Sequence, residues 1–403
     1  MEAGGNCGAP PRPLAADIAC PTVPDGRLGE SASDLLRRLL PRLDTMGITR
    51  LGDITGLDRV GLPVIQAVRP LALSNSVSQG KGETPDAAAV SAVLEAAETF
   101  FAERLDLIDT TSASAEHLGV PEHHFAKHLL GNAPPGWRRD TTDWVAATNL
   151  VTGAAGWVPR DLVHTAFTVP GPPDTLFAGS TTGLAAAAVE QDAQLHGLLE
   201  CIERDAMARA LTTHGFFQRC RIDPGTIASP AVCALMERIR DAGLLVGLWR
   251  LETPARLPVV WCQLMEDTAP GPPLLAFPAD GCAASLDPDA AACRALLEAA
   301  QSRLAAISGA RDDITRASYP KYVDWERIEA HRRLLREGPR PVDFATLEAP
   351  APCRQANWLD TLLARLPEHG IDCVFVVAFD TAPVEVLAVV RVLVPDLQPL
   401  LDG

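Results

Sequence analysis

Two stretches decide the fold of this chain: PDAAAVSAVLEAAETFFA, at Pro85–Ala102, and EQDAQLHGLLECIERDAMARA, at residues 190–210. In each stretch, apolar residues recur at helical spacing and two glutamates stand three positions apart. Because an α-helix turns by about 100° per residue, such glutamates share one face. That face borders the apolar stripe, so both stretches are predicted as helices with carboxylates at the rim of a buried surface.

The repeated carboxylates predict a cation between the two helices. Glu95 and Glu98 share a face in the first helix, and Glu200 and Glu203 share one in the second. Two carboxylates about 5 Å apart repel by roughly 3 kcal/mol at an effective dielectric near 20. Oxygen-rich groups that are poor in histidine suit Mg²⁺, which keeps water ligands and accepts phosphate oxygens. A metal-bound nucleotide is therefore the hypothesis, although one E-x-x-E alone is more often a solvated face.

Each helix follows a segment that contains glycine. The sequence SQGKG occupies residues 78–82, and GSTTGL occupies residues 179–184. Both are predicted as loops that let backbone amides approach phosphate oxygens. Thr84 is the predicted N-cap of the first helix, with Pro85 in its first turn. The sequence contains neither a Walker P-loop nor a Rossmann fingerprint.

With these motifs the chain resembles the YcaO family, ATP-dependent enzymes that activate a backbone amide of a peptide. The resemblance spans roughly residues 61–395 and is carried by Gly80-Lys81-Gly82, residues 91–98, residues 183–186 and residues 200–206. It is strongest to the branch associated with the TfuA protein, on Arg69-Pro70, Gln301-Ser302-Arg303 and residues 309–313. It implies a mixed α/β (α+β) fold, with mixed sheets flanked by helices and a nucleotide site between two pseudo-repeated carboxylate helices.

The resemblance also implies the residues of the site, with ATP and Mg²⁺ as cofactors. The implied metal ligands are Glu95, Glu98, Asp192, Glu200 and Glu203. The implied nucleotide-binding residues are Lys81, Ser91, Arg204, Arg303 and Arg311. No side chain is assigned as a nucleophile. In two places the chain departs from the family: Ala187 and Ala188 replace the usual Gly-Asn, and no arginine follows Glu98. Losing the asparagine removes a polar contact to nucleotide or metal.

The implied reaction phosphorylates the amide oxygen, which asks the protein mainly for positioning and charge neutralisation. Attack by sulfide then gives a thioamide, whereas attack by a neighbouring Cys, Ser or Thr of the substrate gives an azoline. The TfuA-associated branch, and a C-terminus without a Pro-x-Pro-x-Pro tail, favour thioamidation of a peptide with a TfuA-like sulfur-delivery partner. An azoline-forming cyclodehydratase and a degenerate, non-catalytic peptide- or partner-binding member are the alternatives. The family also implies a possible homodimer.

Composition and length bound this hypothesis. The 403 residues carry a net charge of −16, which argues against nucleic-acid binding. The 10 cysteines include no C-x-x-C pair, and no apolar run is long enough to cross a membrane, so a soluble cytoplasmic protein is predicted. Residues 1–25 are predicted as a flexible N-terminus and residues 26–403 as a single catalytic domain. Within that domain, residues 313–355 are predicted as an insertion or mobile cover.

Outside the carboxylate helices, periodicity predicts further elements. Strands are expected at residues 244–251, 259–264 and 274–277, a helix at 288–308, and a final strand pair at 373–379 and 384–394. His124 and His128 are interpreted as surface histidines because the adjacent glutamate of H-E-x-x-H is missing. Cys201, between apolar residues of the second helix, is interpreted as a buried free cysteine.

Overall fold

The structure is a computed structural model that describes residues 30–104, 106, 108–168, 175–267, 274–275, 277–311, 319, 324–337, 341–347, 349 and 358–400. Within these residues, strands and helices alternate in three antiparallel sheets flanked by helices. This is the mixed class that the sequence predicts. The segment predicted as a flexible N-terminus, residues 1–25, lies outside the described residues.

The strands form one large sheet and two small ones. The first small sheet runs in the order β1 (Arg50–Asp53), β2 (Val64–Val68) and β3 (Val77–Lys81). The large sheet contains β4 (Thr111–Ser114), β5 (Thr141–Asn149), β6 (Ala155–Pro159), β7 (Leu184–Ala187), β11 (Phe375–Ala378) and β12 (Ala388–Leu393). Its order is β4-β5-β11-β12-β7, with β6 paired to β5. The second small sheet contains β8 (Leu244–Leu251), β9 (Val259–Glu266) and β10 (Ala279–Ala284) in the order β10-β9-β8.

Three of the helices lie where the sheets meet. The α-helices are α1 (Ala32–Leu39), α2 (Pro85–Ala102), α3 (Glu190–Thr212), α4 (Phe216–Arg219), α5 (Pro230–Asp241), α6 (Pro288–Ser308), α7 (Trp325–Arg336) and α8 (Trp358–Arg365). Helix α2 packs on β2 and β3, α3 packs on β7 and β12, and α6 packs on β9 and β10 and reaches β3. These contacts place α2, α3 and α6 around one region.

The two carboxylate helices belong to matched strand–helix units, β3-α2 and β7-α3. The segment predicted as a phosphate loop is in fact strand up to Lys81, which corrects the interpretation of residues 78–82. Gly80 is needed for another reason: a Cβ there would lie 2.0 Å from Ala92 N and 2.1 Å from Ala88 O. The absence of a side chain lets β3 press against the backbone of α2. Thr84 caps α2 as predicted.

Most of the other predicted elements are confirmed. Strands β8 and β9 and helix α6 match the predicted ranges closely, and β11 pairs with β12. The strand predicted at 274–277 is wrong, because the strand of that region begins at Ala279. The last strand begins at Ala388 rather than at residue 384, since Glu385 has φ of 58° and Val384 N–H donates to Thr381 O in a turn.

The described part of residues 313–355 includes α7, which packs against β8 through buried Ile328 and Leu335. Arg332 ties α7 to β9 by donating to Glu266 O at 2.8 Å. The division into one domain with a cover over residues 313–355 stays a prediction. Among the described residues, no helix combines the length and the apolar character that a membrane crossing requires.

Candidate active site

Carboxylates from α2 and α3 meet beside the segment that leads into β7. Glu98 on α2 accepts a hydrogen bond from Ala186 N–H at 2.9 Å. Glu200 on α3 accepts one from Gly183 N–H at 3.0 Å. The two helices therefore hold the same short backbone segment from different sides. The sequence predicted this convergence from the repeated glutamate spacing.

Two cationic side chains lie among these carboxylates. Lys81, at the end of β3, forms an ion pair of 3.1 Å with Glu298 on α6. Arg204 on α3 lies 3.5 Å from Glu200 and 3.4 Å from Glu203. Burial alone would lower the pKa of Arg204, but Glu203 and Glu200 raise it. Both cations place positive charge among these carboxylates. The region between α2, α3 and α6 that these side chains line is called the cleft below.

Burial, with a smaller contribution from mutual repulsion, raises the pKa values of these carboxylates. Burial raises the pKa of Glu95 to about 7, against opposing effects of Arg311 and Lys81. Burial, followed by the charges of Glu95 and Glu200, raises the pKa of Glu98 well above its ordinary value. Burial also raises the pKa of Glu203 to about 8. Buried carboxylates with raised pKa values indicate that the side chains around them supply too little positive charge. These oxygen donors therefore fit divalent cations, which would supply it.

No three His, Cys, Asp or Glu side chains of the described residues are arranged to hold a metal ion by themselves. This agrees with the chemistry of Mg²⁺, which fills its octahedral coordination with waters and phosphate oxygens rather than with a complete protein cage. Glu95, Glu98, Glu200 and Glu203 are the candidates to hold the metal, and bound Mg²⁺ would supply charge neutralisation for phosphate. Asp192 stays a predicted ligand.

Helix α6 contributes to the cleft, which the sequence analysis missed. Burial would raise the pKa of Glu298, but Lys81 and Arg204 outweigh it and lower the pKa. Arg294, one turn earlier, lies 3.2 Å from His196 Nε2 of α3. Burial, then Arg294, lowers the pKa of His196 to about 3, so this imidazole is neutral. The sequence signal that could have identified this helix as part of the site is the pair Arg294 and Glu298, which stand four positions apart on an alanine-rich helix.

The remaining sequence-predicted residues divide into two groups. Arg311 lies close enough to Glu95 to affect its pKa, and Ser91 lies in the turn of α2 against which Gly80 packs. Arg303 does not join the cleft: it is buried and pairs with Asp58 and Glu266, both at 2.9 Å. That double ion pair ties α6 to β9 and corrects the proposed role of Arg303 in phosphate binding.

Asp192 and Cys201 are the other two α3 residues that the sequence analysis considered. Asp192 lies in the first turn of α3, about 12 Å along the helix axis from Glu200. Cys201 is buried, and burial, followed by Glu200, raises its pKa to about 12. A thiol of that kind is not a nucleophile at neutral pH, as the sequence indicated. Ala187 and Ala188 directly follow Ala186, so the departure from the family pattern lies beside Glu98.

The raised pKa values predict that the metal-free protein is destabilised by base. Between the ordinary glutamate pKa of 4.5 and the raised value of Glu203, the folded protein holds more protons than the unfolded chain. The free energy of unfolding therefore falls as pH rises through this window. Without Mg²⁺, we expect the melting temperature to fall by about 2 °C or more between roughly pH 5 and pH 8. Differential scanning calorimetry measures this fall.

The matched variant is Glu203→Gln, which cannot ionise at this position and should reduce the pH dependence, while the contributions of Glu95 and Glu98 remain. Glu237→Gln, an exposed change on α5, should leave it unchanged. A Glu203→Gln protein with the wild-type slope would contradict the placement of that charge.

A mixed α/β fold whose helices gather glutamates beside lysine and arginine defines a class of protein, one that binds an anionic ligand through divalent metal ions. The comparisons narrow this class. A family model described as YcaO cyclodehydratase, ATP- and Mg²⁺-binding, matches residues 79–398. The chain belongs to the YcaO family. This confirms the predicted family and cofactors and places the chain among ATP-dependent enzymes that act on peptides.

Individual relatives support the same assignment. An uncharacterized protein of Methanothermobacter thermautotrophicus is 33% identical over 373 residues, covering 91% of this chain and 94% of the relative. An uncharacterized protein in the tfuA 3′ region of Rhizobium leguminosarum bv. trifolii is 33% identical, covering 90% and 86%. The structure of YcaO from Methanopyrus kandleri, bound with AMPPCP and Mg²⁺, matches with a TM-score of 0.69 at 24% identity over 92% of each chain. The last match establishes the fold.

Proposed function

We propose that this protein uses ATP to phosphorylate the oxygen of a peptide backbone amide and so installs a thioamide. The observation that carries the proposal is the convergence of four glutamates from α2 and α3 with Lys81 and Arg204 in one cleft. Such a cleft accepts a polyphosphate only when divalent cations neutralise its acidic side chains. The fit of charge and donor type supports ATP with Mg²⁺ as the ligand.

Phosphorylation of an amide oxygen requires the protein mainly to position the reactants and to balance the phosphate charge. An amide oxygen is a poor leaving group, and a phosphate ester is a good one. Lys81 and Arg204 are the residues that would balance the phosphate charge, and Arg311 is a third candidate. The backbone contacts of Glu98 and Glu200 fix these carboxylates in place before the ligand arrives. A side-chain nucleophile is not required, which agrees with the inert Cys201 thiol.

Two observations favour a thioamide over an azoline as the product. One relative is named by its position in the tfuA 3′ region, and the branch resemblance points the same way. On this basis a TfuA-like protein is the proposed sulfur-delivery partner, and the peptide is the proposed substrate. An azoline-forming reaction and a non-catalytic role, motivated by Ala187 and Ala188, are the competing functions. A homodimer stays a prediction.

Mass spectrometry separates the three functions. Purified protein is incubated with ATP, Mg²⁺, sodium hydrosulfide and a library of synthetic peptides that carry ¹⁸O in the backbone amides. We expect peptides in which sulfur replaces one oxygen, with the ¹⁸O recovered in inorganic phosphate because the amide oxygen leaves as phosphate. Addition of a TfuA-like protein should raise the yield at low hydrosulfide.

The other outcomes are equally distinct. Peptides that lose one water, with ¹⁸O again in phosphate, would assign the azoline reaction. Unmodified peptides without ADP release, for the chain alone and with a TfuA-like protein, would favour the non-catalytic role.

A further inference from the structure

A second group of polar side chains lies next to the glutamates and is not used by the reaction described above. At its centre is Arg391 on β12, which is only 1% exposed. Its Nη2 donates to Ser180 O at 2.6 Å. Its Nε and Nη1 are buried and have no hydrogen-bond partner among the described residues. Burial lowers the pKa of Arg391 to about 10, so the guanidinium stays charged at neutral pH.

Two histidines come from segments that pack on residues 178–180, beside the Ser180 carbonyl that Arg391 binds. Ala178 N–H donates to His128 O at 2.7 Å, and a Cβ on Gly179 would lie 3.2 Å from Asp161 O, three residues before His164. The sequence predicted His124 and His128 as surface histidines, which is wrong: His124 is 6% exposed, and Nδ1 of His128 is buried and lacks a partner in the described structure. His164 is buried, and its Nδ1 accepts a hydrogen bond from Ala166 N–H at 3.2 Å. Burial lowers the pKa of both residues, that of His128 to about 4, and the charge of Arg391 adds to the effect. Both imidazoles are therefore neutral at neutral pH.

Neutral imidazoles in these positions act as hydrogen-bond donors. When Nδ1 of His164 accepts, the ring proton must be on Nε2, which is then a donor. His128 has an unpaired Nδ1 that can carry its proton. Together with Nε and Nη1 of Arg391, the group offers several donors from separate parts of the chain, β12, the segment after β4 and the segment after β6.

Carboxylates near the group are already engaged. Glu200, whose charge raises the pKa of Arg391 against the effect of burial, accepts from Gly183 N–H and pairs with Arg204. Asp161, close to His164, accepts from Leu176 N–H at 3.0 Å. A buried guanidinium with unused donors costs free energy unless an acceptor joins it, and a charged acceptor offsets more of that cost than water does.

We infer that Arg391, His128 and His164 form a binding site for a small monovalent anion, and that hydrosulfide occupies it during turnover. The second half of this inference rests on the proposed function. A buried apolar cluster borders the group, because its member Phe125 is in ring contact with His128 and its member Leu393 follows Arg391 by two residues. These surroundings favour a small anion over a phosphate. Val392, next to Arg391, donates to Gly183 O at 2.7 Å, and Glu200 accepts from Gly183 N–H at 3.0 Å, so the anion would be stored beside the proposed metal site.

The chemistry explains why such storage is useful. Hydrosulfide forms a C–S bond at the amide carbon while the C=O π electrons move to oxygen. The oxygen takes the γ-phosphoryl group of ATP, and ADP is released. The C–O bond then breaks with phosphate as the leaving group, and the sulfur loses its proton to give C=S. Hydrogen sulfide titrates near neutral pH, and a buried positive charge favours the anionic form that attacks. A protein of net charge −16 has particular need of such a site.

The site can be tested without any turnover. Crystals of the full chain are soaked in sodium bromide, because bromide is close to hydrosulfide in size and charge and is located by anomalous scattering. We expect a bromide peak against Arg391 and His164 in the wild type, weakened when hydrosulfide is added. Arg391→Met removes the donors at similar length, and His128→Phe extends the neighbouring aromatic group of Phe125. Both variants should lose the peak.

Kinetics then tests the occupant. In the assay for thioamide formation, His128→Phe and Arg391→Met should raise the KM for hydrosulfide by about tenfold or more, with the KM for ATP within about twofold. A wild type without a bromide peak, or with only water in its place, would overturn the anion site, as would a peak that persists in both variants. An unchanged hydrosulfide KM, or bromide that hydrosulfide does not displace, would overturn the occupant. If the wild type makes no thioamide, the proposed function fails, and the bromide experiment still decides the anion site.

Discussion

Replacing Glu200 or Glu203 by glutamine should abolish catalysis while leaving the protein folded. Each change keeps the shape of the side chain and removes a charge that the cleft needs to hold Mg²⁺. We expect ADP release in the peptide assay to fall by at least about 10²-fold, and the affinity for AMPPCP with Mg²⁺ to fall at least about tenfold. For Glu203→Gln, the melting temperature of the metal-free protein should not decrease, because burial raises the pKa of Glu203 to about 8 despite the opposing charge of Arg204.

The control for this experiment is Glu237→Gln, which removes a glutamate from the exposed face of α5. It should leave ADP release, nucleotide affinity and melting temperature unchanged. Calorimetric titration measures the nucleotide affinity, and a coupled assay measures ADP release. Wild-type turnover by both Glu200→Gln and Glu203→Gln would show that the cleft between α2 and α3 is not the reaction site.

Replacing Gly80 by alanine should cause the largest loss of stability of any single methyl addition to the first small sheet. The new Cβ would lie 2.0 Å from Ala92 N and 2.1 Å from Ala88 O, and neither backbone atom can move without shifting α2. We expect the free energy of unfolding to fall by about 3 kcal/mol, measured by urea denaturation. A shifted α2 would also carry Glu95 away from Lys81, so nucleotide affinity should fall.

Gly52→Ala, in β1 of the same sheet, is the matched control. The nearest atom to its new Cβ would be Arg50 Nε at 4.0 Å. We expect a change of less than about 1 kcal/mol in the free energy of unfolding. Equal stability of the Gly80→Ala and Gly52→Ala proteins would mean that β3 and α2 are not in the close contact described.

The sequence predicted the elements with strong periodicity. Helix α2 has the predicted boundaries, and helix α3 begins at the predicted residue, because in each an apolar stripe runs without interruption beside the glutamates. The convergence of those glutamates followed from the repeat of one pattern in two segments. Strand β8 was recognised from its apolar run.

Other features depended on contacts that a single sequence does not reveal. Strand β3 is short and rich in polar and small residues, so Gly80 suggested a loop, whereas the close approach of α2 is what requires glycine. Glu298 joined the cleft unpredicted because its helix lies far along the chain from Lys81. Arg303 was misassigned because its partners, Asp58 and Glu266, come from distant segments.

The central position of β12 in the large sheet has a consequence for the folding of the chain during its synthesis. This strand is inserted between β11 and β7, and Val392 N–H donates to Gly183 O at 2.7 Å, next to the amide that Glu200 holds. Roughly 200 residues separate β7 from β12, so the pairing is highly non-local. A ribosome releases both carboxylate helices long before the strand that orders the segment between them. The nascent chain therefore carries an unpaired edge of β7 while about half of its residues are synthesised, and such an exposed edge is where chaperones protect a chain from aggregation.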